Sequence, residues 1–174
     1  YSRDELERIK INICIHDWSS LYQQKPVSRE AREFKEEWFQ YYEQKPNNLE
    51  IFLTVDPAIS KKDNACNSAI VVCGVDEQYN IYVLDYVAEK MDPGELIENI
   101  WNMATLWEPS YIGIETIAYQ QSVSFYFNRK QEESKKWFNV LELRPTSDKA
   151  ARIRRLLPFY RNKKVFHKSS HSQL

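Results

Sequence analysis

From residue 49 onward the chain alternates short apolar runs with polar breaks, and that alternation predicts most of its elements. Leu49-Glu50-Ile51-Phe52-Leu53-Thr54-Val55 is too short for a helix and is closed by Asp56-Pro57, so it reads as a buried strand that carries a carboxylate to its end. Ala69 to Val75 and Ile81 to Val87 follow across an Asp76-to-Asn80 turn. Three consecutive strands with short polar connections make an antiparallel meander. Asp92-Pro93-Gly94-Glu95 then has capping-box spacing with proline at the first helical position. Leu96, Ile100, Met103 and Trp107 form the apolar stripe of that helix, and Pro109 closes it. Tyr111-Ile112-Gly113-Ile114-Glu115-Thr116 repeats the first motif: a short apolar strand with an acid at its end. A helix from Ala118 to Gln131, a strand from Trp137 to Leu143, and a basic helix from Asp148 that Pro158 kinks or ends complete the series. Val165-Phe166 reads as the start of one more strand.

Upstream the pattern is weaker. Residues 1 to 25 mix charges with Ile9, Ile11, Ile13 and Ile15, then Trp18, Leu21 and Tyr22, and fix no element. After Pro26, Ser28 is a cap, and Ala31, Phe34, Trp38, Tyr41 and Tyr42 recur at three- and four-residue intervals. That spacing predicts an amphipathic helix of about 16 residues. Residues 1–48 are thus expected to be a helical extension, or the tail of a larger upstream domain. The order from 49 to 174, β-β-β-α-β-α-β-α, matches the ribonuclease H-like architecture: an α/β fold with a mixed five-stranded sheet flanked by helices.

Composition changes this picture in two ways. No run approaches the roughly 20 apolar residues that span a bilayer, and the first residues are charged rather than signal-like; a soluble, cytoplasmic protein without a membrane partner is expected. The net charge of -1 conceals an asymmetry. Residues 129 to 168 hold thirteen Lys or Arg against four acids, a local charge of +9, which points to a polyanion bound by the C-terminal part or else to solvated helix faces. Cys14, Cys66 and Cys73 are odd in number and lack CxxC spacing, so neither a disulfide framework nor a zinc site is expected.

The candidate chemistry rests on the two acids at strand ends. Asp56 and Glu115 suit a hard divalent cation such as Mg²⁺ or Mn²⁺, which is held by one or two carboxylates together with water and phosphate oxygens. Alone, Asp56 is equally a turn-capping aspartate before Pro57, whereas a buried Glu115 needs a cation or an arginine as partner. Asp63, in the loop after the first strand, could reach the same site, although loop acids are usually only solvated. Two ions about 4 Å apart can activate water and stabilise the leaving oxygen of a phosphodiester. Lys149, Arg152 and Arg155 recur every three residues, on one helix face that suits a phosphate backbone, and Arg144 stands just past a core strand. Tyr119, Gln120 and Gln121 stand near Glu115, while Phe125, Tyr126 and Phe127 read as core. Only Gly74, Gly94 and Gly113 occur, which excludes a P-loop and a dinucleotide fingerprint. His16, His167 and His171 show no HExxH spacing or triad context.

These residues resemble the C-terminal nuclease domain of the large terminase subunit of tailed bacteriophages, over about residues 20 to 168. The likeness lies in the ordered set Tyr22-Gln23-Gln24-Lys25-Pro26, Phe34-Lys35-Glu36-Glu37-Trp38-Phe39, Thr54-Val55-Asp56-Pro57-Ala58 with Asp63, Gly113-Ile114-Glu115, and Lys149 with Arg152 before Lys163-Lys164-Val165-Phe166. It implies a ribonuclease H-like endonuclease that uses two Mg²⁺ or Mn²⁺ ions to cut concatemeric double-stranded viral DNA. Asp56 matches the family's first catalytic aspartate, Glu115 its second acid, and Asp63 an acid near the metals. An upstream ATPase domain, a portal protein, a small terminase subunit, and a place in the host cytoplasm with transient docking on the procapsid are implied as well. The family's third catalytic aspartate has no counterpart before Leu174. Two alternatives stand beside this reading: another ribonuclease H-like nuclease, such as a resolvase, transposase or ribonuclease H, or a non-catalytic DNA-binding and docking module.

Overall fold

Short runs rich in β-branched and aromatic residues build the strands of the computed structural model, which describes residues 34–57, 67–116 and 121–171. In chain order they are β1 (Gln40–Tyr42), β2 (Glu50–Asp56), β3 (Ser68–Val75), β4 (Ile81–Glu89), β5 (Tyr111–Glu115), β6 (Val140–Leu143) and β7 (Val165–Lys168). The helices are α1 (Pro93–Trp107), α2 (Gln121–Ser134), α3 (Lys149–Arg154) and α4 (Leu157–Arg161). The strands form one mixed sheet in the order β1-β7-β4-β3-β2-β5-β6. Its centre is the expected meander: β2 pairs antiparallel with β3, and β3 with β4, with a register shift at Val72/Cys73. On the other side of β2, β5 and then β6 run parallel to it.

The expected α/β class holds, and the sheet is wider than expected. Seven strands replace five because β7 adds in parallel beside β4 and β1 adds beside β7. The helix expected across Phe34, Trp38, Tyr41 and Tyr42 is not what forms there. A single 3-10 turn at Glu36–Trp38 gives way to β1, which pairs Gln40 with Phe166 and Tyr42 with Lys168. Tertiary pairing overrides the local periodicity, and the sheet thereby begins before residue 49. The elements expected within residues 1–33, the loop carrying Asp63, and Tyr119 with Gln120 lie outside the described residues.

Helix α1 starts where its cap demands. Glu95 N–H donates to Asp92 Oδ1 at 2.9 Å and Asp92 N–H to Glu95 Oε2 at 2.7 Å, a reciprocal capping box with Pro93 in the first turn. Leu96, Ile100, Met103 and Ala104 then bury one stripe against Leu53, Val55, Ile70, Val72, Ile112 and Ile114 of the central strands. Phe127 of α2 is fully buried in the same core, whereas Phe125 and Tyr126, expected as core, point outward with 65% and 50% of their surface exposed. Cys73 is a free thiol on β3, and burial pushes its pKa up to about 11.

The helices leave the opposite sheet face partly open. Leu53 and Val55 are buried while Thr54 between them is exposed, even though β2 is a central strand. Side chains alternate between faces, so Asp56 falls on the Thr54 face. Ile112 and Ile114 are on the helix side, and Glu115, one residue on, joins Asp56 on the open side. Among the described residues no helix is long and apolar enough to cross a membrane.

Candidate metal and nucleic-acid site

Parallel register sets the spacing of the two acids. Val55 of β2 is the partner of Ile114 of β5, so Asp56 and Glu115 leave adjacent strands at the same level and at the carboxyl ends of both. Open α/β sheets place their ligands at such ends. Gly113 contributes by what it lacks. A Cβ there would come within 2.7 Å of Leu143 Cδ1, so its absence lets Leu143 of β6 lie close across β5, and Leu143 is the register partner of Glu115.

Helix α3 closes over this edge. Asp148 caps it by accepting from Ala151 N–H at 2.9 Å, which sets the direction of its first turn. Lys149 and Arg152, one turn apart on the same face, both turn toward the acids. Arg152 makes a two-pronged contact, Nη1 donating to Glu115 Oε2 at 2.6 Å and Nη2 to Oε1 at 3.1 Å. Lys149 Nζ donates to Asp56 Oδ2 at 3.3 Å.

The two pairs differ in environment. The Glu115 side chain keeps only 12% of its surface in solvent and Arg152 32%, whereas Asp56 keeps 43% and Lys149 69%. A bidentate, largely dry guanidinium–carboxylate pair is charge-assisted and geometrically specific, whereas an exposed lysine–aspartate pair contributes about 0–1 kcal/mol. The hydrogen bonds to Glu115 raise the pKa of Arg152; burial opposes them, and the charges of Glu115, Asp56 and Asp148 add to the rise. Arg152 is therefore held as a cation among three carboxylates. Its Nε, buried, has no hydrogen-bond partner.

Four of the expected site residues are thus brought together: Asp56, Glu115, Lys149 and Arg152. The two expected DNA contacts among them face the acids rather than outward. Arg144 stands apart, 3.9 Å from Glu142 and 77% exposed, and Arg155 donates to Ser147 Oγ at 3.3 Å. Asp63 lies outside the described residues. Spacing alone did not single out Thr116, whose buried hydroxyl directly follows Glu115 and has no hydrogen-bond partner. Nor did it mark Asp148 as a charge acting on Arg152; its signal was its position as a helix cap.

The donor set fits a hard divalent cation. Both candidate ligands are carboxylates, and both now hold positively charged groups, the guanidinium and the ammonium, where a cation would bind. No group of three His, Cys, Asp or Glu that could hold a metal occurs among the described residues.

The sequence matches no protein-family model and no curated protein. The structure is similar to the large terminase nuclease from thermophilic phage G20c, determined with bound magnesium: TM-score 0.51, 10% identity, covering 75% of this chain and 68% of that one. It is also similar to the yeast mitochondrial Holliday junction resolvase, at TM-score 0.47 and 14% identity over 70% of this chain and 68% of that one. The fowlpox virus Holliday junction resolvase follows at TM-score 0.42 and 17% identity over 65% and 74%. The first of these likenesses, with the strand order above, shows the fold to be ribonuclease H-like.

Proposed function

We propose that this chain is a metal-dependent DNA endonuclease domain, and that it serves a viral DNA-packaging terminase by cutting concatemeric double-stranded DNA. One observation carries the reading: two carboxylates delivered at the same level by adjacent parallel strands, under a helix that presents two cations. The similar terminase nuclease, whose structure contains magnesium, supports it at the level of fold. So do the sequence motifs around Asp56 and Glu115.

In this reading Asp56 and Glu115 hold Mg²⁺ or Mn²⁺, with two ions expected. Bound there, the metal supplies an activated water and neutralises charge on the leaving oxygen. The protein's own groups do the rest. The rigid β2–β5 pairing fixes the separation of the carboxylates, Lys149 and Arg152 supply positive charge at the same edge, and Arg144 and Arg155 extend it along the backbone of a duplex. An upstream ATPase domain, a portal protein and a small terminase subunit are the partners this role implies, with action in the host cytoplasm on the procapsid.

The test is nicking and linearisation of supercoiled plasmid by the chain and by its Asp56→Ala and Glu115→Gln variants, with Mn²⁺, Mg²⁺ or EDTA. Cutting should require the metal and disappear in both variants. Undiminished cutting by Asp56→Ala, or cutting in EDTA, would sink the reading. Preference for a four-way junction over linear duplex would keep the chemistry and move the role to junction resolution.

A further inference from the structure

Taking the nuclease reading as its basis, we infer that α3 is an internal counter-ion for the metal site: Arg152 and Lys149 compete with the divalent cation for Glu115 and Asp56, and metal loading releases them toward phosphate. Three features carry this.

The first is occupancy of the oxygens. Arg152 engages both oxygens of Glu115, and Lys149 engages Oδ2 of Asp56. Each oxygen keeps a second lone pair, but the guanidinium takes the inward side of both and brings its positive charge to where a cation would sit, so the two contacts compete.

The second is how loosely α3 is held. It is six residues long and none of them is buried. The segment that links it to β6 is half-buried at most, and the two ion pairs tie α3 to the two acids at this edge. Closed, the arrangement also leaves Arg152 Nε buried without an acceptor, which favours any alternative partner that satisfies the whole guanidinium. A phosphate is such a partner, since its oxygens match the guanidinium fork as a carboxylate does.

The third is charge. Without metal, the two carboxylates at one sheet edge repel, and the two cations of α3 neutralise them. With divalent ions bound, the same cations face like charge and are driven off. Coupling of this kind is reciprocal: whatever affinity the metal loses to α3, α3 loses to the metal.

The experiment is calorimetric titration of Mn²⁺ into the metal-free chain, without DNA and without reference to cutting. Arg152→Ala should tighten Mn²⁺ binding by at least about tenfold, and Lys149→Ala by a few-fold, within the usual range of coupling between two ligands. Arg129→Ala, which removes an equal charge on α2 where Arg129 pairs with Glu133, should leave the affinity as it is. Lys149 is exposed, so its variant keeps the test valid if Arg152→Ala folds poorly. Equal Mn²⁺ affinity in the wild type, Arg152→Ala and Lys149→Ala, or weaker binding in the variants, overturns the competition while leaving the metal site standing. Absence of binding even in Arg152→Ala and Lys149→Ala overturns the metal site and the competition together. Tightening in all three variants alike, Arg129→Ala included, would also overturn it, since net charge would then suffice.

Discussion

Arg152→Ala and Lys149→Ala remove the same charge from one face of one short helix, and the structure gives them different costs. Loss of Arg152 leaves Glu115, with 12% of its side chain in solvent, without the donors at 2.6 and 3.1 Å. Breaking a buried pair in this way costs about 3–5 kcal/mol. The guanidinium is 32% exposed, so water screens part of the interaction and the low end, about 3 kcal/mol, applies. Loss of Lys149 breaks one 3.3 Å contact between groups that are 69% and 43% exposed, and should cost less than about 1 kcal/mol. The assay is urea unfolding at pH 7 in EDTA, with thermal melts in parallel. For a chain of this size about 3 kcal/mol corresponds to a fall in Tm of roughly 6–12 °C. A double-mutant cycle with Glu115→Gln should return most of the Arg152 effect as coupling. Costs for the two variants that agree within about 0.5 kcal/mol would refute the reasoning. Glu115 would then be no less hydrated than Asp56.

Two further predictions concern the scaffold. Phe127→Ala removes a fully buried ring that packs 6.1 Å from Trp101 and 6.3 Å from Phe138, and should cost about 3–5 kcal/mol by urea unfolding; Phe125→Ala, at a 65% exposed position, should stay within about 0.5 kcal/mol. Asp76 clips the β3–β4 turn: burial raises its pKa, but hydrogen bonds from Asn80, Gln78 and Tyr82 outweigh that and hold it below the usual 3.8. A depressed carboxylate stabilises the fold above its ordinary pKa and loses that contribution as pH falls through the depressed one. The cost of Asp76→Ala, about 1–2 kcal/mol at pH 7, should therefore persist down to about pH 4 and shrink below it when stability is followed by urea unfolding from pH 7 to 2.

The legible parts of this fold are those in which local pattern and tertiary role agree. β2 and β5 are apolar runs cut off by an acid, and both strands and both acids lie where the pattern put them. The Asp92/Glu95 box is equally local, and it caps α1 as expected. β1 was invisible because its aromatic residues recur at helical spacing, while the partner that makes it a strand lies in β7, far along the chain. Tyr126 and Phe125 misled for a related reason: apolar character fixes burial only once the facing surface is known, and α2 has one buried stripe, which holds Val123 and Phe127. At the site, spacing placed Lys149 and Arg152 on a common face. It could not say that the face turns inward onto Glu115 and Asp56, because that depends on how the 144–148 segment folds back across the sheet edge.

The pairing of β1 with β7 governs the order in which the molecule assembles. Gln40 meets Phe166, so 126 positions separate the two sides of a ladder only three rungs long. Closing a loop of that length carries an entropic cost of about 4 kcal/mol, which three rungs alone do not offset. The join relies on neighbours already in place: Tyr42 donates from its hydroxyl to Val83 O at 2.9 Å, Ser169 Oγ donates to Tyr42 O at 3.0 Å, and Phe39 packs 4.9 Å from Tyr160. The β1 ladder is therefore expected to form only where β7 is already paired with β4. An edge strand held this way should exchange its amide hydrogens sooner than the β2–β3–β4 centre of the sheet.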